Sequence, residues 1–160
     1  MSKEALIAEI NKYINLCRKG SLIRRIKNSS SLPKISVVIP VYNSEKTITY
    51  CIRSVQNQKM SDIEIILVDD YSTDNSTNLI RKFQKNDKRI KLIRNKKNRG
   101  TLYSRSVGVL NSRGKYIMHL DNDDLFINDI LLKSYEEAEI SNVEIIEFSG
   151  IVNFINKNLN

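Results

Sequence analysis

Lys34-Ile-Ser-Val-Val-Ile-Pro-Val-Tyr-Asn43 opens the pattern that decides the fold. Ile35-Ser-Val-Val-Ile39 is a short β-branched run, the mark of a strand buried on both faces. Pro40 has no N–H and is expected to end the ladder pairing of this strand. A helix is expected over about 45–58, with Ile48, Cys51, Ile52 and Val55 on one stripe. Ile63-Glu-Ile-Ile-Leu-Val68 reads as a second buried strand that runs into Asp69-Asp70. Asp74 or Ser72 is expected to cap the next helix, whose Leu79, Ile80 and Phe83 face inward. Arg89-Ile-Lys-Leu-Ile93 reads as a third strand, residues 100–112 as a helix stopped by Gly114, and Lys115-Tyr-Ile-Met-His-Leu120 as a fourth strand. Asn128 is placed to cap a helix carrying Ile130, Leu131, Leu132 and Tyr135, and Val143-Glu-Ile-Ile-Glu-Phe148 reads as a fifth strand.

Strands alternating with helices through short connections imply crossover units, an α/β fold and a mainly parallel sheet. Ligands of such sheets bind outside the carboxyl ends of the strands. Three strand ends carry notable polar groups: Tyr42-Asn43, Asp69-Asp70 and Asp121-Asn-Asp-Asp124. The topology therefore predicts that all three lie on one edge.

Outward from this block, residues 3–19 read as an N-terminal helix, with Leu6, Ile7, Ile10, Tyr13, Ile14 and Cys17 at three- and four-residue steps and Gly20 as its stop. Residues 20–34 lack a period and include Asn28-Ser-Ser-Ser31 and Pro33, so residues 1–33 are expected to be a helical extension and linker before a domain over 34–160. The chain of 160 residues, 41% apolar, suffices for one domain, which at this size buries roughly 68–70% of its unfolded surface, and excludes two full ones. Five glycines and two prolines exclude a low-complexity chain. Two cysteines, Cys17 and Cys51, build neither a disulfide framework nor a four-thiolate zinc site, and are expected to be reduced thiols. Glu4 and Glu9 interrupt the apolar start, so no secretory signal is expected there, and no run of 18 consecutive apolar residues is present to suggest a membrane span. The expected location is intracellular, in the cytoplasm or on the cytosolic face of a membrane.

The net charge of +8 is unevenly spread. Residues 1–34 carry +6, residues 81–115 carry thirteen basic side chains against one acid, and residues 116–147 carry Lys133 against nine acids. A basic block beside an acidic one suits a site that handles an anion together with a cation, and equally suits solvated helix faces. The basic block holds only Phe83 and Tyr103 as aromatics, too few for a nucleic-acid stacking platform, so no nucleic-acid partner is expected. The basic N-terminal stripe is a candidate peripheral contact with an anionic membrane.

Three carboxylates within Asp121–Asp124 repel one another at close range unless something offsets them. A hard dication does so, and Mg²⁺-type ions take one or two carboxylates plus substrate phosphates. In an extended loop Asp121 and Asp123 point the same way and Asn122 away. The same cluster also fits an acidic helix start. Asp69 or Asp70 suits a hydrogen bond from a base N–H or a ribose hydroxyl, or a cap; Tyr42 suits base stacking, or a half-buried core position. His119, the only histidine, is expected to be a satisfied core residue.

Ile35-Ser-Val-Val-Ile-Pro-Val-Tyr-Asn43, Val68-Asp-Asp-Tyr-Ser-Thr-Asp74, the stretch from Asn98-Arg-Gly100 to Gly114-Lys-Tyr-Ile117, and Leu120-Asp-Asn-Asp-Asp124 resemble the family 2 glycosyltransferases, in order and spacing, over about residues 34–150. The resemblance implies a GT-A, Rossmann-like fold, truncated at its C-terminal end, and a hexosyltransferase-like enzyme. It implies a nucleotide-diphospho-sugar donor, a UDP-sugar foremost, with Mn²⁺ or Mg²⁺, and a glycan, lipid or protein acceptor. By the same resemblance Pro40, Tyr42 and Asp70 match positions that hold the donor's base, and Glu45 an acid near the donor. Asp121-x-Asp123 matches the DXD element, Asp121 facing the ribose and Asp123 contacting the metal; Arg94, or a neighbour such as Lys96, faces the diphosphate. Transfer with inversion needs a general base, which in this family comes from further along the chain. No Asp or Glu follows Glu147, so the base is expected beyond Asn160, and the alternative is a donor-binding or interaction module lacking it.

Overall fold

The structure, a computed structural model, describes residues 32–127 and 129–141. The expected helix over 3–19, the linker before Leu32, the Asn128 cap and the strand Val143–Phe148 lie outside the described residues.

Among the described residues four strands alternate with four helices: β1 Ile35–Val41, α1 Ile48–Gln56, β2 Ile63–Asp69, α2 Ser76–Asn86, β3 Ile90–Arg94, α3 Thr101–Leu110, β4 Tyr116–His119 and α4 Ile130–Ser141. All pairings are parallel, in the order β3-β2-β1-β4. The chain steps from β1 through β2 to β3 on one side, then returns to place β4 on the other side of β1. The strand order therefore reverses beside β1, where α/β sheets open a crevice at their carboxyl edge.

Every residue of β1 and β2 is buried, as continuous apolar runs covered on both faces require. Odd-numbered β1 residues and their β2 neighbours pack with the α1 stripe of Ile48, Cys51, Ile52 and Val55 and with Ile80 of α2 and Leu131 of α4. The opposite face holds Val38, Ile66 and Val68, against which Val107 of α3 packs. Helix α3 lies close: a Cβ built on Gly108 would stand 2.3 Å from Val38 Cγ1, so only glycine lets the helix reach the sheet.

Pro40 does not end β1. It pairs with Val68 in the β2 register, and the strand continues to Val41. The carbonyls of Lys34 and Val38 accept from β4 and the segment after it, whereas that of Val41 accepts from Asp70 N. Even-numbered residues thus face β4, which stops at His119, so the missing Pro40 N–H points past the end of its neighbour. The first helix starts at Ile48 rather than near residue 45, because Ser44–Thr47 is taken up by loop hydrogen bonds. The N-cap position of α2 is Asn75, with no side-chain cap bond of its own, and Asp74 Oδ1 accepts from Ser76 N at 3.0 Å.

A buried carboxylate braces the sheet at its other end. Glu64, on β2, accepts from the Ser36 hydroxyl at 2.7 Å, from Lys91 Nζ and from the Arg113 backbone N–H. Burial pushes its carboxyl group up, but these hydrogen bonds together outweigh burial and hold it below the usual carboxylate range. Gly114 N donates to Ser36 Oγ at 2.8 Å, which ties the turn before β4 to the same cluster.

Candidate functional site

Parallel pairing brings the ends of β1, β2, β3 and β4 to one edge, and hydrogen bonds lace their loops together. The loop after β1 is fastened to the loop after β2: Asn43 N donates to Ser72 Oγ at 3.0 Å, Ser44 N to Ser76 Oγ at 2.7 Å and Glu45 N to Asp74 Oδ2 at 3.0 Å. In return Asn75 N donates to Glu45 Oε2 at 3.0 Å and Thr73 N to Asn43 Oδ1 at 2.9 Å. The same β1 loop is fastened to the acidic turn after β4. Ser44 Oγ donates to Asn122 Oδ1 at 2.8 Å, and Asn122 Nδ2 to the Pro40 carbonyl at 3.0 Å. Asn122, expected to turn away, thus turns into β1 and anchors the acidic turn there.

Two non-glycine residues at this edge adopt positive φ, Asn43 at 48° and Tyr71 at 67°. Asparagine tolerates this conformation; a bulky tyrosine adopts it at a cost. The result places two rings beside the strand ends, Tyr42 at 49% exposure and Tyr71 at 48%, with the Arg94 guanidinium 5.5 Å from the Tyr71 centroid. Tyr42 is exposed rather than half-buried core, so its ring is available to a planar ligand.

The aspartates at the end of β2 face inward. Asp69 is fully buried; it accepts from Ser72 N at 2.9 Å and Thr77 Oγ1 at 2.6 Å and pairs with Arg94 Nε at 3.2 Å. Arg94 also donates through Nη2 to the Ser72 carbonyl at 2.8 Å, so the arginine expected to face a diphosphate is occupied in holding this turn. Asp70 is 3% exposed and accepts from Asn95 Nδ2 at 2.7 Å, from Arg99 N at 2.9 and 3.0 Å, and from Gly100 N at 2.6 Å. It anchors the loop that leads into α3, where Gly100 (φ 88°) is the N-cap residue.

The acidic turn after β4 is different. Asp123 and Asp124 are exposed, and neither carboxylate takes part in a hydrogen bond or ion pair with the described residues. Asp124 is pushed up by partial burial first, then by the charges of Asp123 and Asp121. Asp121 is paired: Arg105 Nη2, from α3, donates to its Oδ1 at 2.6 Å. His119 is exposed, which corrects the expectation of a core histidine: β4 is the outer strand of the described sheet. Crowding of its imidazole by protein atoms and then the charge of Arg105 hold it below its usual range, against Asp121, which raises it.

Among the described residues, no three His, Cys, Asp or Glu side chains converge as a ready-made metal cage. The donor set still fits a hard cation of the kind that keeps its waters: an unengaged carboxylate on Asp123, one free oxygen on Asp121, and excess negative charge around them. Sequence reasoning placed Tyr42, Asp69, Asp70, Asp121 and Asp123 at one edge, and there they are, with Arg94 at the end of β3 beside them. It missed Ser44 and Asn122 as the staple, Tyr71 as a second exposed ring, and Arg105, which stands sixteen residues before its partner as the lone charge of a largely apolar helix. A cavity of about 380 Å³ between α1 and Leu125–Ile127, lined by Tyr50, Arg53, Ser54 and Phe126, contains none of the predicted site residues.

The description "Glycosyl transferase family 2" belongs to the family whose model matches residues 36–159 of this chain. An uncharacterized glycosyltransferase of Haemophilus influenzae is 42% identical over 103 residues, which cover 64% of this chain and 41% of the relative. Staphylococcus aureus TarS matches in structure with a TM-score of 0.64 at 28% identity, over 68% of this chain and 20% of that one. A TarS fragment, residues 1–349, in complex with UDP-GlcNAc matches with a TM-score of 0.60 at 32% identity, over 68% of this chain and 31% of that one. This chain spans less than half the length of each of these proteins. Because the match begins in β1 and runs through the acidic turn and beyond α4, the chain belongs to glycosyl transferase family 2.

Proposed function

We propose that this chain is the donor-binding part of a glycosyltransferase. Its carboxyl edge takes a nucleotide-diphospho-sugar, a UDP-sugar foremost, together with Mn²⁺ or Mg²⁺, for transfer of the sugar to an acceptor hydroxyl with inversion. The observation that carries this reading is the contrast within one edge. Asp69 and Asp70 are buried and consumed by the chain's own hydrogen bonds, while Asp123 and Asp124 stand exposed and unengaged among the described residues, beside the point where the strand order reverses. The UDP-GlcNAc complex of the TarS fragment supports a uridine nucleotide as ligand.

Asp123, with the free oxygen of Asp121, would hold the cation; once bound, it supplies electrostatic stabilisation of the charge that collects on a departing diphosphate. Tyr42 presents its ring to the base. Asp69 and Asp70 act from below, by fixing the turns from which Tyr71 and the 95–100 loop project. Pro40 contributes a carbonyl that locks Asn122, and so the acidic turn, in place. Glu45 holds the β1 and β2 loops together.

A second reading, a donor-binding or interaction module without a general base, draws on the same contrast. Asp69 and Asp70 are buried and both accept hydrogen bonds from the chain, so neither is free to take a proton from an acceptor hydroxyl.

Thermal unfolding of the full chain with UDP, with Mn²⁺ and with both tests the reading. A ligand at a hundred times its dissociation constant stabilises by about 2.7 kcal/mol, about 5–10 °C for a chain of this size. The rise is expected only with nucleotide and metal together, and is expected to vanish in Asp123→Ala. No rise with both present, or an unchanged rise in Asp123→Ala, overturns the assignment. Sugar release into water or onto an added acceptor separates an active enzyme from the module.

A further inference from the structure

We propose that Arg105 is a positioning residue for the acidic turn: it orients Asp121, leaving one of its oxygens free, and removes one unit of negative charge from the turn beside the unpaired Asp123. This deepens the donor-and-metal reading above and rests on it.

Three observations carry the inference. First, Arg105 Nη2 donates to Asp121 Oδ1 at 2.6 Å, while Asp123 and Asp124, two and three residues on, have no cationic partner among the described residues. One arginine therefore serves one carboxylate of three. Second, the pair makes little sense as a stability device. Its side chains are 37% and 43% exposed, and exposed pairs contribute about 0–1 kcal/mol. Third, Arg105 Nε is buried with no hydrogen-bond partner among the described residues, an arrangement that costs about 1–3 kcal/mol. The planar guanidinium presents Nε–H and Nη2–H as one side-on fork, so a prong lies unused next to the one that Asp121 Oδ1 occupies. A carboxylate held by one prong keeps its second oxygen available.

Placement reinforces this. The loop entering α3 is anchored on Asp70 at the end of β2, through Arg99 N and Gly100 N. Arg105, one turn further along, is anchored on Asp121 after β4. Helix α3 therefore spans from one acidic strand end to the other, across β1, and Gly108 seats it directly on Val38. A helix so tightly seated fixes the backbone from which Arg105 reaches Asp121, as orienting a ligand-bearing carboxylate requires.

The test separates charge from orientation with four full-length variants: Arg105→Gln, Arg105→Lys, Asp121→Asn, and the double variant Arg105→Gln/Asp121→Asn. Free Mn²⁺ is titrated by electron paramagnetic resonance, and UDP is titrated calorimetrically at saturating Mn²⁺. Arg105→Gln unmasks one negative charge near a dication, and Mn²⁺ alone is expected to bind about three- to tenfold more tightly. Arg105→Lys keeps the charge but not the planar fork, so Mn²⁺ binding stays within about twofold of wild type. UDP binding weakens about tenfold in both variants, the equivalent of one lost charge-assisted hydrogen bond. In the Asp121→Asn background the Gln substitution changes neither constant by more than about twofold, because Arg105 acts through Asp121. A bracing role alone would lower the melting temperature equally in both backgrounds and leave the two dissociation constants unmoved; that result overturns the inference. An unchanged Mn²⁺ affinity in folded Arg105→Gln, or an equal effect with and without Asp121, also overturns it. Absence of Mn²⁺ binding by the wild-type chain is a different failure: it removes the metal reading itself.

Discussion

Replacing Asp70 by alanine tests whether the carboxyl edge is assembled by its own buried acid. In the wild-type chain one carboxylate receives the Arg99 and Gly100 backbone N–H groups and the Asn95 amide, at 2.6–3.0 Å. A hydrogen bond to a charged group contributes about 1.5–3 kcal/mol, so three independent ones would sum to well above 4 kcal/mol. They are not independent, and Arg99 and Gly100 are exposed, so water reaches the released N–H groups once the loop opens. The expected loss for Asp70→Ala is therefore about 3 kcal/mol, between a lost helix cap and a fully orphaned buried charge. Asp70→Asn keeps one acceptor oxygen and is expected to lose about half as much. Urea unfolding followed by circular dichroism reads both losses as a lower midpoint at unchanged slope. A loss under about 1 kcal/mol for alanine would show that the 95–100 loop is held by something else. Equal losses for the two variants would show that net charge, not acceptor geometry, matters.

Gly108→Ala should destabilise by about 1–3 kcal/mol despite the better helix propensity of alanine, because its Cβ would meet Val38 Cγ1 at 2.3 Å in a filled core. Val38→Ala in the same chain should recover part of that loss, and additive losses by urea unfolding would refute the contact. The carboxyl group of Glu64 lies below its ordinary range in the folded state, so its contribution is complete above the unfolded value of about 4.3 and is lost as pH falls through the folded one. Glu64→Gln should therefore cost stability at pH 7, and its unfolding midpoint should decline less steeply than that of wild type as the pH is lowered below about 5; parallel declines would refute the assignment.

The alternation of β-branched runs with helical stripes is a local signal, because each element's buried face repeats with its own period. That signal was enough for four parallel strands, for the stripe Ile48, Cys51, Ile52, Val55, and for the gathering of Tyr42, Asp69, Asp70, Asp121 and Asp123 at one edge. It was not enough for what each of those side chains does there. The inward turn of Asp70 onto Arg99 and Gly100, the capture of Arg94 by Asp69, the Ser44–Asn122 staple and the Arg105–Asp121 pair all join residues distant in the chain. Such pairings leave no periodicity, since they depend on how the loops close over a sheet already formed. For the same reason Pro40, a strand breaker by its chemistry, sits inside β1: only the end of β4 at His119 shows that its missing N–H has no neighbour to disappoint. Residue types and spacing thus determined the layers and the edge, while tertiary contacts decided which acids are spent on the scaffold and which, Asp123 and Asp124, are left facing solvent.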